Sequence, residues 1–116
     1  MDEADMSTPR RDWYCEDVLS GNTEVAILWE DGRVLAFHHP PAQAEIHVVV
    51  IPKRHVSSLL DPRALDGALL TSMVQAIREV AWELGLDKTG FYVRANAAAP
   101  GVTPHMHWHM VGPGIS

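Results

Sequence analysis

Three histidines, His105, His107 and His109, alternate with Met106, Trp108 and Met110 in the run Pro104-His105-Met106-His107-Trp108-His109-Met110-Val111. On an extended strand successive side chains point to opposite faces, so the three imidazoles share one face and the two methionines and the tryptophan share the other. Imidazoles two residues apart would stand roughly 6.5–7 Å apart at their Cα atoms, from a rise of about 3.3 Å per residue. That spacing lets neighbouring rings act on one ligand.

Two chemistries suit such an array. Imidazole is a common zinc ligand, and a catalytic zinc site can take three histidines and leave one position to water. Three ligands from one straight strand do not readily close around a single ion, however, and the carboxylates of the chain fall at no recognisable ligand spacing. The second chemistry is phosphoryl transfer. A neutral imidazole attacks phosphorus to give a covalent phospho-imidazole, while a neighbouring imidazole holds phosphate oxygens or protonates the leaving group. A purely structural role must explain why three titratable groups share one face, where they would repel one another once protonated. His38, His39 and His55, taken singly, read as satisfied core or surface residues.

Composition narrows the setting. A chain of 116 residues encloses one hydrophobic core and is expected to form a single domain over residues 12–116, behind a flexible N-terminal tail at 1–11. The polar, acidic N-terminal decapeptide has neither the basic residues nor the apolar run of a secretory signal, and no apolar stretch nears the roughly 20 residues that span a bilayer. A soluble cytoplasmic protein with no membrane partner is expected. The single cysteine, Cys15, excludes an internal disulfide and any site that needs two thiolates. A net charge of −6 with nine Lys and Arg argues against nucleic acid as a partner, which requires clustered basic residues. An anionic ligand would have to be small.

The positioning elements follow from local patterns. Asp12 to Ser20, closed by Gly21, suggests a short helix. Val25–Trp29 and Val34–His38 flank an Asp-Gly turn and read as a β-hairpin. His39–Ala44 holds two adjacent prolines and must be a loop. Ile46–Ile51 is a β-branched central strand with His47 as its polar intruder, ended by Pro52. Asp61 and Pro62 cap the main helix, whose apolar stripe runs through Leu65, Leu69, Met73, Ile77, Val80 or Ala81, and Leu84 before Gly85. Phe91–Asn96 and Pro104–Val111 read as the last two strands, joined by a loop over Ala97–Thr103. The fold class is therefore α+β: a five-stranded antiparallel sheet with one main helix on one face and a short N-terminal helix. Lys53 and Arg54 read as solvated.

The run from His105 to Val111 resembles the His-φ-His-φ-His-φ-φ signature of the histidine triad (HIT) proteins, where φ is apolar. Two further blocks, Trp29–Phe37 and His47–His55, resemble segments of that family's Hint branch and stand in the same order. The resemblance implies a HIT-like fold and a homodimer without a cofactor or catalytic metal. Its activity would be that of a nucleotide hydrolase or nucleotidyl transferase, purine nucleoside phosphoramidase-like, working through a nucleotidyl-histidine. It assigns the nucleophile to His107 and supporting catalytic roles to His105 and His109. Substrate binding falls to His47, Asn96, Thr103, His39 and Phe37. Two alternatives remain open: a nucleotide-binding module with little turnover, and a metal-dependent hydrolase using His105, His107 and His109 as zinc ligands.

The chain also departs from the pattern. His39 stands where relatives carry an acidic residue for the ribose hydroxyls. The approach Gly101-Val102-Thr103-Pro104 lacks their glutamine, with Thr103 standing in for a phosphate-binding hydroxyl. A Cys-x-x-Cys zinc motif of some bacterial relatives is reduced to Asp12 and Cys15, so that structural zinc is not expected, nor is the Trp-containing tail of Hint proteins.

Overall fold

The computed structural model describes residues 12–39, 45–95, 97 and 102–114. The expected tail at 1–11, the centre of the proline loop and Asn96 lie outside the described residues.

Five strands, β1 (Ile27–Glu30), β2 (Val34–His38), β3 (Ile46–Pro52), β4 (Tyr92–Ala95) and β5 (Trp108–Gly112), form one antiparallel sheet in the order β1-β2-β3-β5-β4. The hairpin between β1 and β2 turns on Asp31, whose carboxylate accepts the backbone N–H groups of Arg33 (2.7 Å) and Val34 (2.8 Å) and the Trp29 indole N–H (3.2 Å). An Asx turn of this kind replaces backbone partners that the chain reversal removes. β3 is the central strand, with residues 47–52 all buried, as its unbroken β-branched run predicted. The order places β3 directly against β5, and so His47 beside the triad.

The period-2 pattern sorts two cores. Val34, Ala36, Val48, Val50, Met106 and Met110 pack under the main helix, against Leu69, Met73, Ala76, Val80 and Ala81. Each large side chain buried there contributes about 1.5–3 kcal/mol of transfer free energy. Leu35, Phe37, Val49 and Ile51 face the other way and are covered by Tyr14 and Val18. These two belong to α1 (Tyr14–Val18), a helical turn that closes with an i→i+5 bond from Leu19 N–H to the Tyr14 carbonyl (2.8 Å).

The largest departures from expectation fall at three boundaries, while the N-terminal helix, β1 and β4 differ from it by one or two residues at their ends. Asp61 and Pro62 cap only a short 3₁₀ turn, Pro62–Leu65; the main helix α2 starts afresh at Gly67, where the Asp66 carboxylate accepts from Ala68 and Leu69. Leu65 therefore falls outside the stripe and is 82% exposed. α2 ends at Glu83, and Gly85, at φ +74°, turns the chain into an additional short helix, α3 (Leu86–Thr89). The last strand begins at Trp108 rather than Pro104. Pro52 has no N–H with which to extend the β3 ladder, and Met106 N–H bonds the Val56 carbonyl instead (2.6 Å). His105 and His107 thus stand on irregular backbone leading into β5. No helix among the described residues is long and apolar enough to cross a membrane.

Candidate functional site

The alternation survives the late start of β5: Met106 and Met110 enter the α2 core and Trp108 packs against it, while all three imidazoles lie on the opposite face. His105 is fully buried, and His107 and His109 are each 6% exposed. The rings of His107 and His109 meet edge to face at 5.0 Å. Next to them, His47 Nε2 lies 2.8 Å from His109 Nδ1.

Backbone carbonyls fix two tautomers. His107 Nδ1 donates to the His105 carbonyl at 2.6 Å, which leaves the lone pair of the neutral ring on Nε2. Burial holds the His107 imidazole below its ordinary basicity, against the partial opposition of that hydrogen bond. A neutral imidazole with a bare, oriented nitrogen is a nucleophile at neutral pH. Burial also pushes His109 down to about 3, with help from His107 and His47, and His47 down to about 4, with help from His39 and Arg94. Both are neutral at pH 7.

His105 is held differently. Its Nε2 donates to the Pro52 carbonyl at 2.8 Å, and its Nδ1 faces Asp12 Oδ2 at 3.0 Å and Cys15 Sγ at 3.2 Å. Both ring nitrogens of His105 are engaged, and its carbonyl receives the His107 N–H.

The other expected positions fall unevenly. His39 stacks on His47, with centroids 4.5 Å apart and planes 17° from parallel, and lies 5.5 Å from His109. Its backbone N–H bonds the His47 carbonyl at 2.9 Å. Phe37 is wholly buried beneath Trp13 and Tyr14, with centroids at 6.4 and 6.3 Å. Thr103 accepts the His105 N–H at 2.8 Å through its carbonyl. Lys53 pairs with Glu30 at 2.6 Å. Two surface clefts, of about 360 Å³ beside α1 and β1 and about 170 Å³ at the head of α2, contain no histidine. The chemistry of the imidazoles, not cleft size, marks the site.

Sequence reasoning missed the cover of this face. Tyr14 lies 5.0 Å from the His107 ring and 5.8 Å from His105, and Trp13 lies 6.4 Å from His39. The same segment brings Asp12 and Cys15 to His55 and His105, with four donor atoms all within 4.8 Å of one another. Asp12 Oδ2 is 2.8 Å from His55 Nδ1, and Cys15 Sγ is 3.6 Å from it. Burial and the Asp12 charge push the Cys15 thiol up to about 11. The donor set suits a divalent cation: with Nε2–H given to Pro52, His105 turns Nδ1 toward the Asp12 carboxylate and the Cys15 sulfur. Only His105 of the triad belongs to it. The Asp12-x-x-Cys15 spacing was the available signal.

Comparison with known proteins agrees with this geometry. The HIT domain model matches residues 20–114. An uncharacterized HIT-like protein of Synechocystis is 38% identical over 96 residues, 82% of this chain and 84% of that protein. A HIT family hydrolase from Legionella pneumophila superposes with a TM-score of 0.77 at 28% identity, over 85% of this chain and 89% of that one. A histidine triad nucleotide-binding protein from Candida albicans gives 0.73 at 25% identity, over 84% and 71%. Matched over most of its length by the family model and by a relative of this identity, the chain belongs to the HIT-domain family.

Proposed function

We propose that the protein is a nucleotide hydrolase or nucleotidyl transferase that cleaves phosphoramidate-like derivatives at the α-phosphorus of a nucleoside monophosphate. The observation that carries this reading is the 2.6 Å bond from His107 Nδ1 to the His105 carbonyl, which leaves Nε2 free to attack. In the first step a bond forms between Nε2 and phosphorus, the bond from phosphorus to the leaving nitrogen breaks, and the departing amine, hydrogen-bonded by the neutral His109 N–H, takes its proton from solvent. Water then attacks the nucleotidyl-His107, the bond from phosphorus to Nε2 breaks, the water's proton passes to solvent, and the nucleoside monophosphate is released with His107 neutral again. Trp13, half-buried over Phe37 and His39, is the aromatic layer against which a base stacks. His39, beside His47, takes the ribose side, and Thr103 and Asn96 the phosphate side.

The functional form is a cytoplasmic homodimer in this reading, and light scattering on the purified protein reads its mass directly. Release of nucleoside monophosphate from adenosine and guanosine 5′-phosphoramidates tests the activity. Turnover that persists with chelator present supports it; no release from any of them contradicts it.

The cluster at Asp12, Cys15, His55 and His105 favours a second, separate role for metal. These four residues would hold a divalent ion such as zinc, whose chemistry there is structural cross-linking of the N-terminal segment to the approach of β5. His107 and His109 act without it.

A further inference from the structure

β4 sets a permanent cation beside the imidazoles. Arg94 is paired directly opposite His109 across β4 and β5, and residues so paired on antiparallel strands project from the same face of the sheet. The guanidinium therefore shares the face of His47 and His109. Its charge is felt at both, lowering their basicity behind the larger effects of burial and neighbouring imidazoles.

The strand order gives this placement a direction. Across the sheet the paired row is Phe37 on β2, Val49 on β3, His109 on β5 and Arg94 on β4, with His47 two residues from Val49 on the same face. Trp13 and Tyr14 pack over the β2 side of this row, and His39 follows β2 directly. A substrate with its base on that aromatic layer and its phosphorus at His107 extends its departing half toward β4. The imidazoles there are neutral, and Arg94 brings a fixed positive charge to the departing side. A guanidinium binds carboxylate, phosphate or sulfate through paired, charge-assisted hydrogen bonds and gains little from a neutral amine.

We propose that Arg94 recognises a negatively charged leaving group, so that the favoured substrates are nucleoside 5′-phosphoryl derivatives whose departing half bears an anionic group. The inference rests on the nucleotidyl-transfer reading of His107 and names its substrate class. In the balanced step, Nε2 of His107 forms the new bond to phosphorus, the bond from phosphorus to the leaving nitrogen breaks, and that nitrogen takes a proton from solvent. The anionic end leaves unchanged from its contact with Arg94.

Two adenosine 5′-phosphoramidates separate the ideas, one of β-alanine and one of propylamine, which differ in a single carboxylate. Wild-type protein is expected to favour the β-alanine compound in kcat/KM by about tenfold, the scale of one charge-assisted hydrogen bond. The preference should shrink as salt rises. Arg94→Met should bring the ratio of the two substrates close to one, and Arg94→Lys should restore part of it. Equal turnover of both compounds by wild type, or an unchanged ratio in Arg94→Met, overturns the role of Arg94 and leaves the His107 reading standing. Release of adenosine monophosphate from neither compound overturns that reading, and this one with it.

Discussion

His47 and His109, 62 residues apart in the chain, meet through a single N–H shared between His47 Nε2 and His109 Nδ1 at 2.8 Å. Because β3 and β5 pair with Val49 opposite His109 and His47 opposite Val111, the contact is set by sheet register. It fixes the His109 ring plane, and with it the direction of the nitrogen that serves the leaving group. His47→Phe keeps an aromatic ring but leaves His109 Nδ1 without its partner. Loss of orientation on that scale costs about 10²-fold, so kcat should fall by about that factor with a smaller change in KM. Steady-state kinetics on a phosphoramidate check the split.

The same pair predicts an acid-labile fold. His47 and His109 are pushed down to about 4 and about 3, chiefly by burial, from an ordinary value of 6.5. The unfolded chain therefore binds protons that the native site excludes. The stabilisation from neutral burial is whole above pH 6.5 and is lost as pH falls from there toward the folded values. Melting temperature should drop steadily between pH 7 and pH 4.5, and His109→Leu should flatten that slope. A wild-type melting temperature that stays level over this range contradicts the assignment.

Gly112 closes β5 where α3 and the start of β4 crowd in. A Cβ at this position would stand 2.8 Å from Leu86 Cδ2, 3.3 Å from the Gly90 carbonyl oxygen and 3.5 Å from Phe91 Cβ. Leu86 is itself buried, so its side chain has little room to yield. Gly112→Ala should cost about 1–3 kcal/mol, the range for overpacking a filled core. Denaturant titration at pH 7.5 measures it.

Metal content tests the cluster beside the triad. Protein prepared with zinc should carry close to one equivalent by elemental analysis, and Cys15→Ser or Asp12→Ala should each lower that occupancy. Chelation should reduce the melting temperature, because the ion ties the segment at residues 12–15 to His55 and His105. Full zinc content in Asp12→Ala and Cys15→Ser alike would place the ion elsewhere.

What the sequence disclosed follows from the range of each signal. The alternation of His105, His107 and His109 with Met106, Trp108 and Met110 is local, and the two methionines lie in the α2 core as that period requires. The order of strands and helix was legible for the same reason, since hydrophobic period and turn residues act within a few positions. Leu65 was misplaced because Asp66, equally able to cap, restarted the helix one turn later than Asp61 suggested. The start of β5 depended on Pro52, which has no N–H to donate, and on the Val56 carbonyl, which accepts the Met106 N–H about 50 residues away, a contact no period encodes. Tyr14 over His107 and Asp12 beside His105 are farther still, and Arg94 opposite His109 depends on pairing register. Each of these three needed the folded sheet before its neighbour could be known.

The central claim is that His107 bears the nucleotide. The most direct measurement is mass spectrometry of acid-sparing quenched reactions of wild type and His107→Ala with adenosine 5′-phosphoramidate, with chelator present and product release followed in parallel. The account predicts adenosine monophosphate release by wild type, a nucleotidyl group on the peptide containing His107, and loss of both in the variant by a factor of about 10³ or more, as for removal of a nucleophile. Release by His107→Ala at the wild-type rate, or a nucleotidyl group carried on a different residue, would contradict it.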